Sequence, residues 1–160
     1  MAVLFFLFFL LSLAAPFARA QTTPITGGLS IQNNCQGETV YYWSIGGSIG
    51  PRHTIEYGHG YGEYFYVDPI SHGVTIALSK NPDGINDGSS VLNIQYNVDI
   101  EEGHQAVWYE LVTVNGSPFE GHSVWLRGDS CPEIRWEEGV KTREELRQCF
   151  VLAQPILYLC

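Results

Sequence analysis

The sequence predicts an all-β domain, a sandwich or a barrel, with one short helix near its C-terminus. Eight short segments rich in Val, Ile, Thr, Tyr and Trp recur along the chain, and each has the length of a strand. Between them lie clusters of Gly, Asn, Asp and Pro, which supply positive φ or preset turn angles. Four cysteines behind an apolar leader are the third observation, because they predict a disulfide-stapled domain.

The N-terminal leader has the pattern of a secretory signal peptide. The apolar segment MAVLFFLFFLLSLAAPFARA (1–20) ends in the small-residue site ARA, which predicts cleavage before Gln21 and a secreted protein. A retained membrane anchor is the alternative, but the apolar stretch is short for a span of about 20 residues. The polar, aperiodic residues 21–28 are predicted to form a flexible lead-in. Residues 29–160 then form one domain, which is large enough to bury one core.

The predicted strands follow one another at regular spacing. In chain order they are LSIQN, TVYYWSI, GEYFYV, GVTIALS, VLNIQYNV, AVWYELVTV, SVWLR and ILYL. The turn segments between them include GGSIGPR, YGHGYG, NPDGINDG, EEGH and VNGSP. This succession of short strands and turns is typical of a β-sandwich or a β-barrel.

The segment KTREELRQC predicts the one helix. Thr142 and Glu145 have the spacing of a capping box at a helix N-terminus. Leu146, Cys149 and Phe150 follow at spacings of three and four, which would place them on one inward face. We therefore expect a short helix close to the end of the chain.

The charge of the chain excludes some classes of partner. Eight Lys and Arg stand against seventeen Asp and Glu, which gives a formal net charge of −9. This excess repels nucleic acid and anionic lipid at long range, and no basic stripe offsets it. We expect a monomer that binds neither nucleic acid nor membrane and carries no cofactor.

The four cysteines, Cys35, Cys131, Cys149 and Cys160, are predicted to form two disulfides. Their number is even and the leader directs the chain to an oxidising compartment. A zinc site would need short paired spacings such as C-x2-C, and none is present among them. Four cysteines allow three pairings, and their spacing does not choose among the three.

Three parts of the sequence carry a family resemblance. They are the N-terminal LSIQNNC with the following TVYYWS, the later WYELVTVNGSPFEG, and the cysteine at the last position. With these features the chain resembles the small fungal thaumatin-like proteins, most closely the CetA-like group, also called the Blastomyces yeast-phase-specific family. The resemblance extends over nearly all of residues 29–160 and implies a thaumatin-like β-sandwich.

The resemblance also implies a disulfide pairing. In thaumatin-like proteins the cysteine after the first strand bridges to a cysteine at the extreme C-terminus, which implies Cys35–Cys160 and leaves Cys131–Cys149. A bridge that closes a loop as long as that between Cys35 and Cys160 stabilises a fold by about 4 to 5 kcal/mol at most. The shorter loop between Cys131 and Cys149 gives about 3 kcal/mol at most.

Glucan hydrolysis is one alternative that the sequence leaves open. Many thaumatin-like proteins bear an acidic cleft linked to β-1,3-glucan, and two of its aspartates correspond here to Glu110 and Asn115. A glycosidase needs two carboxyl groups facing one bond, and Glu110 with Asp99, Glu101 or Glu102 is the candidate pair. The competing interpretation is that DIEEGH is a solvated acidic hairpin tip.

The histidines raise a weaker metal hypothesis. His53, Glu56, His59 and Glu63 lie within the segment RHTIEYGHGYGE, and histidine and carboxylate are common metal ligands. The competing interpretation, which we favour, is that these are loop histidines in solvent. We therefore expect no metal site.

Some of the aromatic residues are predicted to form a ligand-binding surface. Where two aromatics adjoin in a strand, one side chain points inward and the other outward, so some of them must be exposed. We take Trp108, Tyr109 and Glu110 as candidate ligand-binding residues, with wall polysaccharide as the expected partner. Asn115 begins the sequon NGS, which predicts an exposed and glycosylated loop.

The resemblance implies a non-enzymatic protein of the fungal wall or extracellular space. It implies roles in wall remodelling during spore germination and growth, and antigen or adhesion roles in pathogenic species. Two alternatives stay open. One is an adhesin or effector that engages a host surface protein, and the other is a weak endo-β-1,3-glucanase that uses Glu110.

Overall fold

A computed structural model describes residues 27–101 and 103–160. The predicted signal peptide, most of the predicted lead-in, and Glu102 lie outside the described residues. Gly27 and Gly28 are described, and Gly28 already pairs as the first residue of a strand. No helix within the described part of the chain is long and apolar enough to cross a membrane.

Within the described residues, eleven strands form two sheets. In chain order they are β1 (Gly28–Asn33), β2 (Val40–Ile45), β3 (His53–Ile55), β4 (Gly60–Tyr64), β5 (Gly73–Ser79), β6 (Val91–Asp99), β7 (Ala106–Val114), β8 (Val124–Gly128), β9 (Cys131–Trp136), β10 (Arg147–Phe150) and β11 (Ile156–Leu159). The five-stranded sheet has the order β4-β1-β11-β8-β9, and the six-stranded sheet has the order β10-β7-β6-β5-β2-β3.

The core lies between the two sheets. Successive side chains of a strand point to opposite faces, so alternate residues of the central strands are buried against the other sheet. In β6, for example, Leu92, Ile94, Tyr96 and Val98 point inward. Fully buried side chains that fill this layer include Ile31, Ile76, Leu78, Leu111, Leu126, Ile134, Trp136 and Leu157.

The first and last strands lie side by side. β1 and β11 pair in parallel in the middle of the five-stranded sheet, and every other pairing between strands is antiparallel. A disulfide joins Cys35, just after β1, to Cys160, just after β11, over a sequence separation of 125. The bridge therefore links the same ends of two neighbouring parallel strands, and it is the pairing that the family resemblance implies.

The second disulfide joins the two sheets. Cys131 begins β9, an edge strand of the five-stranded sheet, and Cys149 lies in β10, an edge strand of the six-stranded sheet. The bridge closes one side of the sandwich. On the opposite side there is no disulfide, and Glu63 of the edge strand β4 accepts a hydrogen bond from Tyr96 of β6, which connects the two sheets there.

The predicted C-terminal helix is wrong. No residue of the described chain is helical, and Arg147–Phe150 is strand β10, paired with β7. Glu145 is buried and receives hydrogen bonds from the guanidinium groups of Arg143 and Arg147. The three residues are two apart in sequence, which is the period of an extended strand and not of a helix. Pairing with β7 and the bridge from Cys149 outweigh the local helical pattern, whose contribution of a few tenths of a kcal/mol per residue is small.

Candidate functional site

The outer face of the six-stranded sheet carries the candidate site. Strand β7 lies inside this sheet, between β10 and β6, and its alternation places Trp108 and Glu110 on the outer face. Trp108 is 39% exposed, and Glu110 is half-buried. Loop residue Ile85 covers another part of the same face, where it packs against a small cluster around Trp43. The surface around Trp108 remains open.

Two rows of side chains cross this open surface from strand to strand. In the first row Trp108 stands opposite Asn97 of β6 on one side and Gln148 of β10 on the other. In the second row Glu110 stands opposite Gln95, which in turn stands opposite Thr75 of β5. A shallow depression of about 330 Å³ lies over these rows. We call this depression the Trp108 face. Ser71, Gly73 and Leu146 also line it.

The loop before β5 forms the rim of the Trp108 face, and hydrogen bonds hold it. Asp68 accepts the backbone N–H groups of Ile70 and Ser71 at 2.9 and 2.8 Å. The backbone N–H groups of Ser71, Gly47 and Ile70 and the hydroxyl of Ser71 all donate to this carboxylate, which lowers the pKa of Asp68 to about 2. The carbonyl of His72 then accepts a hydrogen bond of 2.6 Å from the side-chain amide of Asn97. Asn97 is therefore fixed in orientation at the edge of the depression.

The donors and acceptors of the Trp108 face suit a hydroxyl-rich ligand. The amides of Gln95 and Asn97 each donate and accept, the hydroxyl of Thr75 does both, and the Glu110 carboxylate accepts. Among the described residues Glu110 has no ion pair. The indole of Trp108 supplies an exposed aromatic surface beside these groups.

The side chain of Tyr109 points away from this surface, although the residue borders the depression. Its side chain points between the sheets, is almost fully buried, and donates a hydrogen bond to the carbonyl of Pro132 at the start of β9. Burial raises the pKa of Tyr109 to about 12. The physical reason is the period of two along a strand, which sends Tyr109 to the opposite side from Trp108 and Glu110.

Glu110 and Asp99, one of the candidate carboxyl pairs for glycoside hydrolysis, occupy backbone positions that are well separated along the sheet. Glu110 stands opposite Gln95, whereas Asp99 stands opposite Ala106, four residues further along the same ladder. This offset corresponds to about 13 Å at the rise of a strand. Glycosidases hold their two carboxyl groups within about 5 to 9.5 Å. Asp99 instead accepts the N–H of Glu101 at 3.1 Å and faces His104 at 3.6 Å in the turn, as expected of an acidic hairpin tip.

The residues of the metal hypothesis have separate contacts. The ring of His53 stacks on Tyr42 at 5.1 Å, and Glu56 accepts the hydroxyl of Thr39 at 2.7 Å. Glu63 accepts two tyrosine hydroxyls. Within residues 27–101 and 103–160, no three His, Cys, Asp or Glu side chains are grouped closely enough to hold a metal ion.

The glycosylation candidate lies in an exposed turn. Asn115 directly follows β7, has φ of 56°, and precedes Gly116 with φ of 98°. Positive φ at both positions matches the tight turn that the segment VNG predicts, because Asn and Gly tolerate this conformation. Both residues are exposed, so the turn presents the Asn115 side chain to solvent.

Residues that the sequence interpretation missed complete the Trp108 face. Gln95, Asn97 and Thr75 were not among the candidates, although Asn93, Gln95 and Asn97 alternate with apolar residues in VLNIQYNV. That alternation indicates a polar outer face. It does not show which residue of β7 stands beside each amide, because the register between strands depends on the fold.

The fold defines the class of protein. The two-sheet β-sandwich and the disulfide between Cys35 and Cys160 agree with the thaumatin-like fold and the pairing that the family resemblance implies. The chain matches the family model described as the Blastomyces yeast-phase-specific protein over residues 17–160. The chain belongs to this family and is a fungal thaumatin-like protein.

Two curated relatives and one solved structure are similar to the chain. An antigenic thaumatin-like protein of Arthroderma benhamiae is 31% identical over 122 residues, which cover 74% of this chain and 58% of that protein. The secreted thaumatin-like protein calA of Emericella nidulans is 28% identical over 141 residues, covering 81% of this chain and 78% of that protein. The crystal structure of the protein elicitor MoHrip2 from Magnaporthe oryzae has a TM-score of 0.66 at 23% identity, covering 84% of this chain and 98% of that one. This last likeness supports the fold alone.

Proposed function

We propose that this protein is secreted and binds a neutral wall polysaccharide through the Trp108 face. The relatives' names support the extracellular part, since one is called secreted and another antigenic. The composition of the Trp108 face supports the binding part. In this proposal the protein acts at the fungal wall, without enzymatic activity, in wall remodelling during spore germination or growth.

The single observation that carries this proposal is the lateral order of Trp108, Asn97, Glu110 and Gln95 on adjacent strands. Neighbouring strands lie about 4.8 Å apart, so a sugar ring that stacks on Trp108 would lie within reach of the next strand's amide groups. Each amide satisfies both a donor and an acceptor of a sugar hydroxyl. The depression is shallow and open to solvent, so a sugar ring can reach Trp108 without entering a closed pocket.

The electrostatics favour a neutral ligand at this face. Its only charged member among the described lining residues is the carboxylate of Glu110, and the chain carries a net charge of −9. A polyanion would meet a carboxylate at the centre of the face without a cation to offset it. Uncharged glucan or chitin meets no such repulsion.

Host-surface adhesion is the alternative function, and exposed apolar side chains on the loop before β5 and at Leu146 favour it. Tyr66, Val67 and Ile70 are exposed on the loop that precedes β5, and Leu146 is exposed at the opposite rim. Exposed aromatic and aliphatic groups of this kind are typical anchors of protein interfaces. Adhesion of this kind would not depend on saccharide.

The test is a pull-down with insoluble β-glucan and with chitin, run beside a polysaccharide array and an assay of laminarin hydrolysis. We expect the disulfide-intact protein to bind at least one neutral polysaccharide and to release no reducing sugar. Glu110→Gln keeps the shape of the face and is expected to weaken binding only slightly, because an amide oxygen still accepts. Folded protein that binds none of these polysaccharides but binds host cells without saccharide dependence would support the alternative.

A further inference from the structure

We propose that the outer face of the five-stranded sheet carries a second site, in which Arg127 binds the carboxylate groups of an acidic polysaccharide. This site is on the opposite side of the sandwich from the Trp108 face and does not depend on it. Its central group is a guanidinium that lies over two aromatic rings. We call it the Arg127 site.

The rings of Trp125 and Tyr158 form the base of the Arg127 site. They stand opposite each other on β8 and β11, with ring centroids 6.2 Å apart. Arg127, two residues after Trp125, lies on the same face of the sheet. The carbon of its guanidinium is 4.1 Å from the centroid of Trp125 and 5.2 Å from that of Tyr158.

This position over the rings restrains the guanidinium and leaves N–H donors available to solvent. A planar guanidinium that lies on aromatic rings is attracted by their π-electrons and keeps its N–H donors in its own plane. No Asp or Glu carboxylate among the described residues lies within 4 Å of Arg127. A carboxylate in that plane would accept two parallel N–H bonds, the geometry that guanidinium groups favour.

The other charged groups near the Arg127 site have partners or lie in an exposed turn. Arg135 also lies over Trp125, at 4.9 Å, but its guanidinium contacts the carboxylate of Glu137 at 2.9 Å. Glu133 accepts the indole N–H of Trp125 at 2.9 Å. Asp129 is exposed in the turn between β8 and β9, and Asp129 and Glu133 both line the depression beside Arg127, so a ligand carboxylate has to approach the guanidinium on the side away from them. Arg127 is therefore the cation that a ligand carboxylate can reach without displacing an existing partner.

The shape and lining favour a saccharide over a protein as the ligand. The depression beside Arg127 has a volume of about 850 Å³, which is within the range of about 300 to 1,000 Å³ for small-ligand sites. Ser130 and Gln154 at its border supply hydroxyl and amide groups that bond sugar hydroxyls. None of the largely exposed hydrophobic side chains of the described chain lines it, and the rings of Trp125 and Tyr158 are only partly exposed, so a protein partner would find little apolar surface to bury.

Screening makes such a site compatible with the acidic chain. Charges more than about 8 Å away are largely screened at physiological ionic strength, so distant carboxylates contribute little at Arg127. The guanidinium of Arg127, in contrast, would contact the carboxylate of the ligand directly. We therefore expect acid recognition to be local and to depend on this one side chain.

The test is binding of polygalacturonate to the full-length, disulfide-intact protein, with the fully methyl-esterified polymer as the uncharged reference. We expect the wild type to bind the acidic polymer and to bind the ester at least about tenfold more weakly. Arg127→Gln should weaken binding of polygalacturonate by about tenfold or more, and Arg127→Lys should restore only part of it.

Two control variants distinguish binding at the Arg127 site from binding elsewhere on the protein. Arg52 also lies over an aromatic ring and has no carboxylate partner among the described residues, but it lies at the six-stranded sheet. Arg52→Gln should therefore leave binding of polygalacturonate unchanged, and so should Trp108→Ala. Absence of binding by folded wild type, equal binding of the ester, or an equal loss in Arg52→Gln and Arg127→Gln would each overturn the proposal. Loss of neutral glucan binding in Trp108→Ala with polygalacturonate binding retained would support both sites as separate.

Discussion

The hydroxyl of Tyr96, in the six-stranded sheet, donates a hydrogen bond of 2.7 Å to the carboxylate of Glu63, in the five-stranded sheet. The other oxygen of Glu63 accepts the hydroxyl of Tyr61 at 2.5 Å. This contact connects the two sheets on the side of the sandwich that has no disulfide. Burial and the negative charge of Glu63 raise the pKa of both tyrosines well above the ordinary value of 10.0.

These raised pKa values predict a loss of stability at alkaline pH. Above about pH 10 the unfolded chain releases the phenolic protons, whereas the folded chain retains them. The folded state then binds more protons than the unfolded state, so the free energy of unfolding falls as pH rises. The slope is about 1.4 kcal/mol per pH unit for each tyrosine that differs fully. Denaturant unfolding followed by fluorescence, at steps from about pH 8 to about pH 11, measures it.

Tyr96→Phe tests the contribution of this contact. We expect the variant to lose about 1 to 3 kcal/mol at neutral pH, because a partly buried charged acceptor loses one of its two donors. It should also show a shallower alkaline slope than the wild type. Tyr57→Phe, which removes an exposed hydroxyl, is the control. Unchanged stability of Tyr96→Phe at neutral pH would contradict this account of the contact between the sheets.

The buried carboxylate of Glu145 explains why the segment before β10 is extended. Its side chain is 6% exposed and contacts Arg143 and Arg147, both at 2.8 Å. Replacing Glu145 by Gln should reduce the free energy of unfolding by about 1 to 3 kcal/mol, because two guanidinium groups lose a charged acceptor. The neighbouring Glu144 is 85% exposed and contacts only Lys141 by an ion pair, so Glu144→Gln should cost less than about 1 kcal/mol. Urea denaturation of the two variants gives the comparison, and equal losses would argue against the burial of Glu145.

Gly139 is required by its backbone conformation and by its surroundings. Its φ is 65°, and a Cβ there would lie 2.0 Å from the carbonyl oxygen of Phe119. Gly37 has a similar φ of 74° with no atom within 4 Å of the same position. Gly37→Ala should cost about 1 to 2 kcal/mol, the penalty of left-handed backbone alone. Gly139→Ala should cost about 3 kcal/mol or more, because the added Cβ also clashes with the Phe119 carbonyl. Thermal unfolding of the two alanine variants measures both losses, and equal losses would contradict this prediction.

Much of the fold could be predicted from the sequence because strand alternation is local. All eight predicted strand segments overlap strands of the structure. The strands β3, β9 and β10 were missed for different reasons. β3 has three residues, β9 begins CPEIRW with a proline and two charged residues, and β10 carries a helical pattern that its partners override. Edge strands such as these depend on pairing rather than on their own sequence.

The candidate site could be predicted only in part. The sequence indicated that adjacent aromatics of β7 point to opposite faces, and Trp108 with Glu110 does lie on one outer face. The choice of Tyr109 as a third member contradicts that same alternation. The amides of Gln95 and Asn97, and the separation of Glu110 from Asp99, follow from the register of β6 against β7. Register is a property of the paired strands, and one strand's sequence does not contain it.

The most direct test of the central claim is the affinity of Trp108→Ala for a neutral oligosaccharide of the polysaccharide that the wild type binds. Isothermal titration of wild type, Trp108→Ala and Tyr57→Ala compares an aromatic residue on the candidate face with an exposed aromatic elsewhere. We expect Trp108→Ala to bind about tenfold more weakly or worse, which corresponds to about 1.4 kcal/mol, and Tyr57→Ala to bind as the wild type does. Equal affinity of folded Trp108→Ala and the wild type would contradict the assignment of the Trp108 face as the binding surface.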